Sequence, residues 1–66
     1  MVKLKAARIK RGWTQIDLAF YSRVSVADIS RIESGRMQPY PTHRERLAKA
    51  LGISPDQLTQ KVRDGR

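Results

Sequence analysis

Residues 14–36 read TQIDLAFYSRVSVADISRIESGR, and this stretch decides the fold. Thr14 and Ser25 are each followed three residues later by Asp, at Asp17 and Asp28. A hydroxyl in that position accepts a hydrogen bond from an orphan N–H of a helix's first turn, and the acidic residue reaches back while its charge favours the positive helix end. Asp is a shorter box partner than Glu, so apolar spacing has to support the reading: Leu18 and Ala19 fall on one helical face, Ile29 and Ile32 on another. Two short helices at 15–22 and 26–34 are predicted, with about three residues between them. Ala19 is small enough for the second helix to cross closely over the first, which makes a helix-turn-helix over 15–34.

On the second of these helices Ile29 and Ile32 point inward, so residues 26, 27, 30, 31 and 34 point outward at period 3.6. That face carries Val26, Ala27, Ser30 and Arg31, then runs into Gly35-Arg36. A helix that only had to stay dissolved would more readily carry Glu and Lys there.

Working outward, the same start signal recurs at Thr42/Glu45 and Ser54/Gln57, the latter reinforced by Pro55, since proline suits the first helical position. Gly12, Gly35 and Gly52 each follow a periodic segment where a left-handed residue ends a helix. The expectation is an all-α chain of five helices, at about 2–11, 15–22, 26–34, 43–51 and 55–62, with no strand. Pro39-Tyr40-Pro41 cannot continue a helix and is expected to run extended over the surface. Residues 1–62 should form one domain, and 63–66 a disordered basic tail. The expected core is Leu4, Ala7, Leu18, Ala19, Ile29, Ile32, Leu47, Ala48 and Leu51, joined at the helix junctions by Trp13, Val24, Ile53 and Leu58.

Composition limits the function. A chain of 66 residues buries only about 60% of its unfolded surface, so caps and close packing must do much of the stabilising. There is no Cys and a single His, His43, which excludes a disulfide framework and a zinc site built by this chain alone. No nucleophile has a base beside it, so enzyme chemistry is not expected and no cofactor is called for. Ser22, Ser25, Ser30 and Ser34 are assigned to turns, caps and surface, and His43 to the solvent side of the fourth helix. The apolar runs are too short to span a membrane and no secretory signal is legible, so a cytoplasmic location is expected. With 14 Lys and Arg against 6 Asp and Glu the net charge is +8, and polyanions are the natural partners.

Thr14-Gln15, Leu18-Ala19, Val24-Ser25, Ile29-Ser30-Arg31-Ile32-Glu33, Gly35-Arg36 and the segment Leu47-Ala48-Lys49-Ala50-Leu51-Gly52-Ile53 resemble the lambda-repressor-like, Cro/repressor (XRE-type) helix-turn-helix family, over about residues 4–60. The resemblance implies a compact five-helix DNA-binding domain whose third helix enters the major groove, usually as a homodimer on a palindromic operator, and a role in transcriptional repression. It further implies that Val26, Ala27 and Arg31 read bases, with Ser30 on the same outward face added to the base-reading set, that Gln15 contacts phosphate and supports the base-reading side chains, and that Ser25 and Arg36 contact the DNA backbone at either end of the recognition helix. Arg8 and Glu33 match a structural ion pair between the first and third helices. The chemistry agrees: small methyl-bearing side chains at 26 and 27 allow close approach to thymine methyls, and Arg31 can donate two hydrogen bonds to guanine.

The sequence departs from the family at Arg23, where glycine is usual. A left-handed backbone is expected there at some cost, with a phosphate contact in return. Tyr21 and Tyr40 are further phosphate candidates, with a packed ring the preferred role for each. Ile16 and Phe20 form an apolar strip that either faces a partner or packs beneath the basic first helix. The competing reading is a protein-interaction module, an antitoxin or co-regulator using the helix-turn-helix surface or that strip. VKLKAARIKR is not read as a membrane or groove-binding helix, because Leu4 and Ala7 are needed by the core. Single-stranded RNA would require an exposed aromatic platform that the pattern does not provide.

Overall fold

A computed structural model describes residues 1–62; the proposed tail at 63–66 lies outside them. Four helices follow in order: α1 (Lys3–Lys10), α2 (Gln15–Ser22), α3 (Val26–Glu33) and α4 (Pro41–Leu51), and a 3-10 turn at Pro55–Gln57 closes the series. The helix-turn-helix is α2 and α3, in the expected register.

The Thr14 signal forms a complete capping box. Thr14 Oγ1 accepts from the Asp17 N–H at 3.0 Å and Asp17 Oδ2 accepts from the Thr14 N–H at 2.8 Å. At α3 only half of the motif forms: Ser25 Oγ accepts from the Asp28 N–H at 3.2 Å, while the Asp28 carboxylate is engaged elsewhere. Arg23 ends α2 in the left-handed region, φ 61° and ψ 32°, with its N–H donating to the Ala19 carbonyl. A residue with a Cβ costs about 1–2 kcal/mol there relative to the right-handed form. Ser22, one of the serines assigned to turns, caps and surface, takes the turn role: it is 2% exposed, and its Oγ accepts from the Val24 N–H at 3.2 Å.

Two features of the expected five-helix arrangement are corrected. The fifth helix does not form: Ser54 makes no side-chain cap bond, and the 3-10 helix at 55–57 runs into a turn at Leu58 and Thr59 and then into the pairing at Lys61. The reason lies at the other end of the molecule. α1 begins at Val2 with no side-chain cap and no acidic residue in its first turn. Its orphan donors are met instead by the C-terminal segment, the Lys3 N–H reaching the Gln60 carbonyl at 2.8 Å and the Leu4 N–H the Leu58 carbonyl at 2.9 Å. An isolated antiparallel bridge between Val2 and Lys61 continues this pairing. Continuing the last helix to residue 62 would commit the Leu58 carbonyl to the Val62 N–H, which instead donates to the Met1 carbonyl, and would leave the Leu4 N–H at the start of α1 unsatisfied.

The fourth helix starts earlier than expected, because Pro41 occupies its first position and Tyr40, held extended before a proline, becomes the N-cap without a side-chain bond. Pro39 in the preceding connection is buried rather than spread over the surface.

Leu4, Leu18, Ile29, Ile32, Leu47 and Leu58 are at most 1% exposed and, with Val2, Val24, Ala48 and Leu51, make one core, against which Ala7, Trp13, Ala19 and Ile53 are half-buried. Each fully buried Leu or Ile contributes about 1.5–3 kcal/mol. α4 packs against α2 and α1, and α2 against α3, so the core holds α3 from its inner side only.

Candidate nucleic-acid interface

α3 divides sharply. Ile29 and Ile32 are buried, while Val26, Ala27, Ser30 and Arg31 are all exposed on the other side, beginning in the first turn after the Ser25 cap. Val26 is among the exposed apolar residues, at 38%. Arg31 lies along this face with a 56% exposed side chain, its Nη1 donating to Asp28 Oδ1 at 3.2 Å. Ser34 Oγ donates to the Arg31 carbonyl, closing the helix end just before Arg36, which is exposed. The expected reading residues therefore share one open surface, with Ser25 at its start and Arg36 beyond its end.

Behind this surface sits a buried polar cluster. Arg8 Nε and Nη2 donate to the two oxygens of Glu33 at 2.7 and 3.0 Å, and Arg8 Nη1 donates to the Trp13 carbonyl at 2.7 Å. The side chains of Arg8 and Glu33 are only 11% and 4% exposed. Gln15 Nε2 adds a third donor to Glu33 Oε1 at 3.0 Å, so the half-buried amide faces the cluster. One carboxylate thus ties α1, the start of α2 and the end of α3 together. A fork-to-fork guanidinium–carboxylate pair suits that task because both groups are planar and each satisfies the other's desolvated polar atoms.

Arg23 projects from the turn as an exposed residue, and Tyr21 is 57% exposed although its ring stacks on Trp13 at a centroid distance of 4.5 Å. The guanidinium of Arg11 covers the same Trp13 ring at 5.1 Å and donates to the Leu51 carbonyl at 3.1 Å. Neither the ring partner of Arg11 nor its carbonyl acceptor is signalled by local spacing in the sequence. Ile16 and Phe20 are 70% and 75% exposed, so the strip on α2 does not pack beneath α1. His43 is not on the solvent side; it is half-buried, with Nδ1 lying 3.8 Å from Asp28 Oδ2 and lacking a hydrogen-bond partner among the described residues. Asp28 therefore stands between Arg31 on its own helix and His43 on α4.

Among the described residues, no group of acidic, His or Cys side chains is arranged to hold a metal, and no helix is long and apolar enough to cross a membrane.

Comparison with known proteins places this surface in context. The helix-turn-helix family matches residues 4–58. The "HTH-type transcriptional repressor RghR" of Bacillus subtilis is 47% identical over 61 residues, covering 91% of this chain and 45% of that protein. The "Competence pilus inhibition repressor" of Acinetobacter baylyi is 41% identical over 51 residues, covering 77% of this chain and 46% of that protein. The chain thus spans about half the length of these curated relatives. No solved structure matches it significantly.

Proposed function

The chain belongs to the XRE-type helix-turn-helix family, and on that premise we propose that it is a sequence-specific double-stranded DNA-binding regulator that represses transcription by occupying promoter DNA. The observation that carries this reading is the exposed face of α3. A short helix capped at Ser25 presents Val26, Ala27, Ser30 and Arg31 together, on a chain with a net charge of +8. In the proposed complex the N-terminal half of α3 enters the major groove, Val26 and Ala27 meet thymine methyls, Ser30 meets a base edge, and Arg31 leaves Asp28 to donate to guanine.

Ser25 and Arg36 flank the groove at phosphates. Gln15 supports the face from behind through Glu33, and Arg8 with Glu33 holds α1 against α3. A homodimer would place two copies of α3 on half-sites about one helical turn apart, so a palindromic operator is part of the proposal. Its place of action is then the cytoplasm, on the nucleoid.

A fluorescence-anisotropy titration against a duplex selected from random sequence, a scrambled duplex and single-stranded RNA, repeated across salt, tests the reading. Preference for the selected duplex with a steep salt slope is expected, because each phosphate neutralised releases counterions. Equal binding to all three nucleic acids would overturn sequence reading.

The exposure of Ile16 and Phe20 favours a second reading, a protein-interaction module such as an antitoxin or co-regulator whose apolar strip on α2 meets another protein. Such a contact would hold as salt rises, whereas the DNA complex would not.

A further inference from the structure

Arg23, Arg46 and Lys49 converge on an open hollow of about 400 Å³ between the C-terminal end of α2 and the C-terminal half of α4, completed by Tyr21, Ser22 and Ala50. Among the described residues, no carboxylate lines it and none of the three cations is ion-paired. Glu45 stands four residues before Lys49, a spacing that pairs Glu with Lys on many helices, yet no such pair forms here. Among the described residues, two guanidinium groups and an ammonium group thus line one hollow without an ion-pair partner.

The backbone points the same way. Arg23 holds a left-handed conformation, φ 61°, that glycine would adopt without strain. A cation at the end of α2 does offset the negative pole of that helix. That explains the charge at position 23, and Lys49 in the last turn of α4 likewise faces the negative pole of its own helix, but neither dipole accounts for Arg46 or for the meeting of all three. One wall of the hollow is held in place, since the Tyr21 ring stacks on Trp13. The hollow also adjoins the proposed groove-facing helix, because Ser25, the cap of α3, is two residues beyond Arg23.

We propose that this hollow is an anion site for a phosphate-ester group, bound by Arg23 and Arg46 through their planar forks and by Lys49 as a point charge. Where the phosphate belongs to the backbone of the operator, the site rests on the DNA-binding reading and sets how the duplex lies against α4. Where it belongs to a small phosphorylated molecule, the site stands without that reading and places a ligand beside the turn that aims α3.

The test is a titration of the 15N-labelled chain with sodium pyrophosphate, paired with the salt dependence of duplex binding. The variants are Arg46→Ala/Lys49→Ala and Arg23→Gly, with Lys10→Ala/Lys61→Ala as a control that removes the same charge elsewhere. All of these positions are exposed, and glycine suits position 23, so folding is retained. Saturable shifts confined to residues 21–23 and 46–50 are expected, with affinity for pyrophosphate about fivefold or more lower in both variants and nearly unchanged in the control.

A salt slope lower by about 2 in Arg46→Ala/Lys49→Ala, with base preference retained, would assign the site to backbone phosphates. An unchanged slope with pyrophosphate binding lost would assign it to a free phosphate ester. Shifts spread over all basic residues, weakened as much by the control as by the variants, would overturn the site. A chain that saturates with pyrophosphate yet prefers no duplex would keep the site and sink the DNA reading instead.

Discussion

Among the described residues, two arginine–carboxylate pairs of the same chemistry lie in opposite surroundings. Arg8 and Glu33 meet at 2.7 Å with side chains 11% and 4% exposed, reinforced by Gln15 and the Trp13 carbonyl. Arg31 and Asp28 meet at 3.2 Å, one turn apart on α3, with side chains 56% and 23% exposed. Removing one partner of a buried pair strands a desolvated charge and costs about 3–5 kcal/mol, whereas an exposed pair on a helix is worth roughly 0.3–0.5 kcal/mol. Burial thus makes the first arginine a fixed part of the frame. Exposure leaves the second free to exchange its partner for the base it is proposed to read.

Arg8→Ala is the strongest way to break this contrast. A domain of this size has only about 5–15 kcal/mol of total stability, so losing 3–5 kcal/mol should lower the thermal midpoint steeply or abolish the cooperative melt followed by circular dichroism. Replacing both members by apolar residues, as in Arg8→Met/Glu33→Leu, should recover much of that loss, because neither charge is then stranded. A variant Arg8→Ala that melts like the parent but binds DNA less well would show that Arg8 belongs to the interface and not to the frame.

Arg31→Ala probes the other member. Melting should shift little, while binding to the selected duplex should weaken by about 1–3 kcal/mol and preference should relax at one base pair. Anisotropy against a panel of single-base variants reads this directly. Uniform weakening across the panel would place Arg31 on phosphate.

Thr14→Ala acts on the frame at one remove. The capping box fixes the start of α2, and Gln15, the next residue, donates to Glu33. Loss of the box should cost about 1 kcal/mol of stability with base preference unchanged. A change of preference at the same stability would mean that Gln15 reaches the DNA rather than supporting α3 from behind.

How far the sequence could be read follows the same division between near and far. The helix-turn-helix, its caps and the inward face of α3 rest on spacings of three and four residues, and these carry their own signals: Thr14 with Asp17, Ile29 with Ile32, Gly35 after Ser34. What local spacing could not convey depends on residues distant in the chain. Ser54-Pro55 begins as a helix should, but the carbonyls of Leu58 and Gln60 are claimed by the start of α1. His43 sits at a position that reads as solvent-facing until α3 brings Asp28 to within 3.8 Å of its Nδ1. The convergence of Arg23 with Arg46 and Lys49 is likewise set by how α4 crosses α2, and the Arg8–Glu33 pair was legible only through resemblance to a family.

Asp28→Asn carries the smallest expected effect and sharpens the contrast most. Asp28 offers one oxygen to Arg31 at 3.2 Å, has the other 3.8 Å from His43 Nδ1, and places a negative charge in the first turn of α3. Losing that charge should destabilise the helix by about 0.3–1 kcal/mol through its dipole, a shift of a few degrees in the melt at most. Binding should move in the opposite sense. Asp28 is an anion on the helix proposed to enter a groove walled by phosphates, and it holds the arginine that the guanine would claim, so Asn should leave affinity unchanged or raise it slightly at low salt. If affinity instead falls and base preference relaxes as it does in Arg31→Ala, the exposed pair persists in the complex and orients Arg31 on its base. The two pairs would then differ in burial but not in kind, both being fixtures that position an arginine.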